Sequence, residues 1–158
     1  MLTPADLRSF MDRNNINGEI MFLDQATPTV EAAAAALGTT PDKIVKSVLF
    51  TIREESVLAI TRGTKLIEQR AIAAHFGVGR KQVKLASPEA VLSVTGYPVG
   101  TVPPFGHQNP VQVLIDPRVL EKTEIYAGGG AHNTMLRLNP QYIQRITQAE
   151  VLDLHNKP

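Results

Sequence analysis

Apolar and polar positions alternate along this chain with two distinct periods. Leu7, Phe10 and Met11 recur at helical spacing in "TPADLRSFMDRNN", where Thr3 offers a cap and Pro4 takes the first helical position, so an amphipathic helix is predicted there. After Gly18, "EIMFLD" is short and apolar enough for a buried strand, and "TVEAAAAALG" predicts a helix capped by Thr29 and stopped at Gly38. "VKSVLFTI" (Val45 to Ile52) and "VLAITRG" predict a β-hairpin with a charged tip from Arg53 to Ser56, the plainest β signal in the chain. A helix is expected from about Lys65 to Phe76, ending in "GVGR", and a shorter one from "SPEAV", with Ser87 as cap and Pro88 behind it. "VQVLID" (Val111 to Asp116) reads as a strand, "TEIYA" and "TMLRL" as a last hairpin around "GGGAHN", and "NPQYIQRIT" and "QAEVLDL" as helical. Helices alternate irregularly with hairpins, which predicts an α+β class: one domain, residues 1–158, with a mixed sheet.

Composition narrows the possibilities. With 43% apolar and 20% charged residues among 158, the chain has the makeup of a globular domain. Its longest apolar run, Ala32 to Gly38, is far shorter than the roughly 20 residues of a spanning helix, and "MLTPADLRSF" lacks an export pattern. No membrane partner is therefore expected, and the cytoplasm is the expected compartment. Absence of cysteine removes disulfides, thiolate zinc sites and a cysteine nucleophile. His75, His107, His132 and His155 form no HExxH-like pair, no G-x-S-x-G elbow occurs, and "RGTK" lacks the glycine spacing of a P-loop, so neither a metal nor a nucleotide cofactor is expected. The net charge of +1 conceals an uneven distribution: Arg62, Lys65, Arg70, Arg80, Lys81 and Lys84 face one acid, Glu68, within a single stretch. Such a segment fits either a solvated helix face or contacts to a phosphate backbone.

Three features could carry chemistry. Strand alternation puts Lys46 on one face with Val48, Phe50 and Ile52, so its ammonium either snorkels to solvent or lines a pocket whose ligand compensates it. The same alternation sends Ser47 to the opposite face, which disfavours a Ser–Lys dyad. "AGGG" (Ala127 to Gly130) is either a flexible hairpin loop or a set of amides able to bind a developing oxyanion. In "GTVPPFGH", Pro103 and Pro104 stiffen a segment between Gly100 and Gly106 that carries Phe105 at its tip, equally suited to a turn or a pocket wall.

Taken together, "KSVLF", the G-x-x-P-P-F-G loop from Gly100 to Gly106, and "LIDPRVLEKTEIYAGGG" followed by "LRLNPQYI" resemble the YbaK/ProX family. That family includes the editing domain inserted in bacterial prolyl-tRNA synthetases and its free-standing relatives, and the resemblance runs from about Gly18 to Leu154. It implies a barrel-like mixed sheet surrounded by helices, and removal of small, wrongly attached amino acids such as alanine or cysteine from tRNA, most often proline tRNA. The need is physical, because a synthetase gains only ~1–3 kcal/mol per methylene and cannot reject smaller side chains by binding alone.

The resemblance also implies a site. Lys46 would hold the aminoacyl-adenosine end, amides at Gly100, Gly128 and Gly129 would polarise the ester, and Pro103, Pro104, Phe105, Gly106, Ala127 and Gly130 would complete the pocket. A ribose hydroxyl would help to position water, with no enzyme nucleophile. In the best-known branch a serine precedes the glycine turn where Ala127 stands here, and Thr27 and Thr29 are expected to line the pocket. Arg62, Lys65, Arg80 and Lys81 become candidates for tRNA phosphates, and a synthetase becomes a candidate partner. The alternative is a non-catalytic module of the same fold that binds tRNA ends or a synthetase.

Overall fold

A computed structural model describes residues 1–156. Its centre is the hairpin of β2 (Val45–Ile52) and β3 (Glu55–Arg62), which is buried on both faces. Val45, Leu49, Leu58 and Ile60 enter one apolar core, while Phe50, Ile52, Val57 and Ala59 enter a second on the other side. Period-2 alternation with apolar residues at both phases produces this arrangement. The turn is tighter than the sequence suggests: Arg53 and Glu54 alone form it, with φ of 50° and 73°, and Glu55 and Ser56 already belong to β3.

The strands form two sheets where a single mixed one was expected. Five strands run in the order β4 (Val83–Leu85), β2, β3, β5 (Gln112–Ile115), β8 (Glu150–Val151), with β3, β5 and β8 parallel. Three run in the order β1 (Gly18–Phe22), β7 (Thr134–Leu138), β6 (Ile125–Gly128), all antiparallel. An isolated bridge from Ile44 to Tyr126 brings the start of β2 beside β6 and joins the two sheets there. The expectation of a buried first strand is corrected: β1 is an edge strand, no residue of it is fully buried, and Phe22 at its end is 68% exposed.

Helices close the outside. Thr3 caps α1 (Pro4–Arg13), its backbone N–H donating to Asp6 Oδ2 at 2.8 Å, and Thr29 Oγ1 accepts from Ala32 N–H at the start of α2 (Val30–Leu37). Helix α3 (Gln69–Phe76) begins four residues later than expected, with Glu68 as its cap, so Lys65 lies in the preceding turn. Ser87 caps α4 (Pro88–Thr95) as predicted. The short α5 (Pro117–Leu120), like β4, was not foreseen. Helix α6 (Gln141–Thr147) ends at Gln148, whose φ of 52° turns the chain out of the helix.

"QAEVLDL" is therefore not helical. Leu152 N–H donates to Ile115 O at 3.0 Å, and Leu154 is fully buried with its N–H on Asp116 Oδ2 at 3.0 Å. Asp116 is fully buried too, and its Oδ1 accepts from the Arg118 backbone N–H at 3.0 Å and from Arg118 Nη1 at 3.1 Å. Satisfying this carboxylate and burying Leu154 outweigh local helix propensity. Asp116→Asn replaces one acceptor by a donor that faces other donors, so it should cost about 2 kcal/mol of stability in urea titration. A change under about 0.5 kcal/mol, the range of an ordinary surface substitution, would remove the carboxylate from this account of the C-terminal segment.

Candidate functional site

The expected site residues converge only in part. On β2's outer edge, β4 pairs with Phe50 to Ile52, and β6 touches at Ile44, so the stretch between them has no strand partner there. The loop from Gly100 to Val102 covers that gap, and two cavities open beneath it. One, of about 210 Å³, is lined by Thr27, Thr29, Ala33, Lys46, Gly128 and Met135. The other, of about 360 Å³, lies toward Leu85 and Val91. Lys46, Ser47, Gly100 and Val102 border both. A larger groove of about 520 Å³ between β1 and α2 meets the first cavity at Thr27 but does not reach Lys46.

Lys46 is half-buried, and no hydrogen bond or ion pair to its ammonium occurs among the described residues. Burial lowers its pKa below the ordinary lysine value of 10.5 by disfavouring the charged form. Ser47 was expected on the opposite face, away from Lys46. It nevertheless borders both cavities, because they wrap around the free edge of β2 and so meet side chains from both faces. Its Oγ is buried without a partner. Pattern reading misses Ser47 for that reason, and it misses Met135 and Ala33 because nothing in their local spacing announces a cavity.

The two glycine loops hold each other. Gly130 N–H donates to Thr101 O at 3.0 Å. A Cβ on Gly128 would stand 2.8 Å from Thr101 O and closer still to Val102 O, so the backbones touch. Gly100 has φ of 85°, a left-handed conformation that favours glycine, and it turns the chain over the cavities.

The other expected wall residues lie elsewhere. Pro103, Pro104 and Phe105 are buried, and Phe105, 1% exposed, stacks on Phe10 with ring centroids 5.7 Å apart inside the main core. The aromatic tip is thus an anchor holding the loop from below, because burying its ring in the core outweighs lining a small open cavity. Gly106 follows it to the Phe10 side. His107 Nε2 donates to Pro103 O at 2.7 Å, latching the same turn, and burial lowers its pKa. Ala127 is fully buried opposite Leu136, while Gly129 packs on Thr134 and Gly130 on Tyr97, so only Gly128 of the triple glycine borders a cavity.

The basic stretch is divided. Arg62 pairs with Val45, beside Lys46, and Lys65 follows it in the next turn. Arg80 and Lys81 precede β4, which pairs at Ile52, six residues further along β2 and so roughly 20 Å away at strand rise.

A model of the aminoacyl-tRNA editing domain family matches residues 24–146. A proline–tRNA ligase of Maridesulfovibrio salexigens is 33% identical over 126 residues, 77% of this chain and 21% of the ligase. This chain thus spans about a fifth of such ligases. The Bacillus subtilis protein YwhH is 24% identical over 92% of this chain and 91% of its own length. A crystal structure of a candidate trans-editing enzyme for prolyl tRNA synthetase superposes with a TM-score of 0.88, at 26% identity and 99% coverage of both chains.

Proposed function

The chain belongs to the aminoacyl-tRNA editing domain family, and on that premise we propose that it hydrolyses the ester of misacylated tRNA, releasing small amino acids such as alanine or cysteine, with proline tRNA as the carrier. The observation that carries this reading is the half-buried, unpaired Lys46 between two cavities, under a loop turned by Gly100 and braced by Gly128. An anionic or oxygen-rich ligand compensates such an ammonium, and the 3′ end of tRNA supplies both phosphate and ribose oxygens.

The amino acid enters the 210 Å³ cavity, where Thr27, Thr29 and Met135 bound its side chain. Water adds to the acyl carbon, the bond from that carbon to the ribose oxygen breaks, and the ribose oxygen takes up a proton. An aminoacyl ester is already activated, so positioning and polarisation supply the acceleration, through Lys46 and the backbone at Gly100 and Gly128. Gly130 drops out of that role because its N–H is engaged by Thr101 O, and Gly129 because it lines neither cavity.

That engaged amide favours the second reading, a module of the same fold that binds a tRNA end or a synthetase without turnover. A panel of alanyl-, cysteinyl-, seryl- and threonyl-tRNAs decides between them: hydrolysis of at least one is expected, and inertness toward all while tRNA still binds establishes the binding module. Salt dependence tests the cations. Arg62→Ala with Lys65→Ala should reduce the slope of log affinity against log salt by about 1.5, as loss of two phosphate contacts requires. Arg80→Ala with Lys81→Ala, at the far end of β2, should change it by less than half as much, and an equal or larger change would place the acceptor stem along the hairpin.

A further inference from the structure

Lys46 stands at one end of a polar row that crosses the five-stranded sheet. Thr61 lies directly opposite it on β3, so the two side chains share a face. Ile115 pairs with Ile60, which sets Asp116 beside Thr61 on the far side. The next row on that face, Val48, Ala59 and Leu114, is apolar throughout. Thr61 and Asp116 are both fully buried, so the row belongs to the interior and its polar atoms need partners.

His155 covers the middle of the row. Its Nδ1 lies 2.8 Å from Leu66 O, and its Nε2 lies 2.6 Å from Thr61 Oγ1 and 3.6 Å from Asp116 Oδ2. A carbonyl can only accept, so Nδ1 carries the proton; in the neutral ring Nε2 is then a lone pair, and the Thr61 hydroxyl donates to it. The Thr61 oxygen keeps its own lone pairs, and donating into the imidazole strengthens it as an acceptor. Leu154 O accepts from Glu68 N–H at 2.7 Å and His155 N–H donates to Asp153 Oδ1 at 3.0 Å, so the backbone fixes the ring in place. His155 lies beyond residue 146, where the match to the family ends.

Other charges around Lys46 do not compensate it. Neither cavity has a second charged residue in its lining. Arg62, next to Thr61, and Lys65, next to Leu66, are cations. Asp116 and Asp153 are taken by Arg118, which donates to them at 3.1 Å and 3.2 Å, and Glu68 accepts from Arg70 N–H as the cap of α3. The oxygen of Thr61 is the remaining acceptor in the row.

We propose that His155 is a positioning residue for Lys46, acting through Thr61: by taking the Thr61 proton it makes the Thr61 oxygen a standing acceptor on that face, which favours the charged lysine at the wall the two cavities share. The proposal rests on the hydrolytic reading only for the use made of Lys46.

Lysine labelled with carbon-13 at Cε tests this without turnover, the Lys46 signal being the one missing from Lys46→Arg. An acceptor favours the ammonium, so Thr61→Val and His155→Ala should each lower the pH at which that signal titrates, by about 0.5 unit or more, with the other lysines unmoved. Thr61→Ser, which keeps the hydroxyl, and His155→Gln, which keeps an acceptor for it, should titrate with the wild type. With misacylated tRNA, the alkaline limb of kcat/KM should move to lower pH in the same two variants and return in the conservative ones. A Lys46 titration unchanged in Thr61→Val overturns the proposal even if His155→Ala fails to fold. A shift in His155→Gln as large as in His155→Ala also overturns it, since the ring then only fills space. Deacylation by a protein whose Lys46 ignores Thr61 removes the positioning role and leaves the hydrolysis standing. A Lys46 shift in a protein inert toward every misacylated tRNA does the reverse.

Discussion

Lys46→Ala should lower the rate of deacylation by about 10² to 10³, the loss expected when one well-placed donor is removed from a site that stabilises developing charge. The same substitution should leave stability unchanged or raise it, because the ammonium is half-buried with no ion pair among the described residues. That opposition of signs separates a functional lysine from a structural one. Burial holds its pKa below 10.5, so between that lowered value and 10.5 the unfolded chain binds more protons than the folded one. Stability contributed by this group therefore rises with pH across that window. Activity that needs the ammonium falls across the same window, so kcat/KM should have a descending alkaline limb that begins below 10.5 and moves upward in Lys46→Arg. A rate unchanged in Lys46→Ala removes this residue from the mechanism.

Gly128→Ala should cost about 3 kcal/mol and most of the activity. The added Cβ meets Thr101 O at 2.8 Å and the Val102 carbonyl besides, and these are backbone atoms that cannot rotate aside. Relief requires the Gly100 to Val102 segment to lift from the β6 end, which breaks the 3.0 Å bond from Gly130 N–H to Thr101 O and opens the shared wall of both cavities. Gly79→Ala is the control: φ is −72° there and a Cβ meets nothing within 4 Å, so chemical denaturation should detect little change. Equal stabilities for the two variants would refute the close packing of the loops.

Local signals reached most of the scaffold. Caps at Thr3, Thr29 and Ser87 and the alternation of β2 and β3 are short-range properties, and the chain keeps them. Segments set by distant partners were not legible. Glu150 and Val151 become a strand because β5 offers them an edge, and β4 is too short at three residues to show a period. The candidate site divides the same way. Lys46 stood out as a candidate because an ammonium heading an apolar row is conspicuous in one strand. Phe105 was misplaced because only the fold brings Phe10 beneath it, and Ser47 was missed because a gap in strand pairing has no signature in the strand itself.

Part of each cavity's wall comes from a stretch of chain the other does not use, Thr27 to Ala33 on one side and Leu85 to Val91 on the other. Heritable change can therefore act on each alone. A larger residue at Ala33, or a different one at Thr27, changes the smaller cavity without touching the lining of the larger one. If the hydrolytic reading holds, such changes would alter which acyl group is removed without rebuilding the rest of the site.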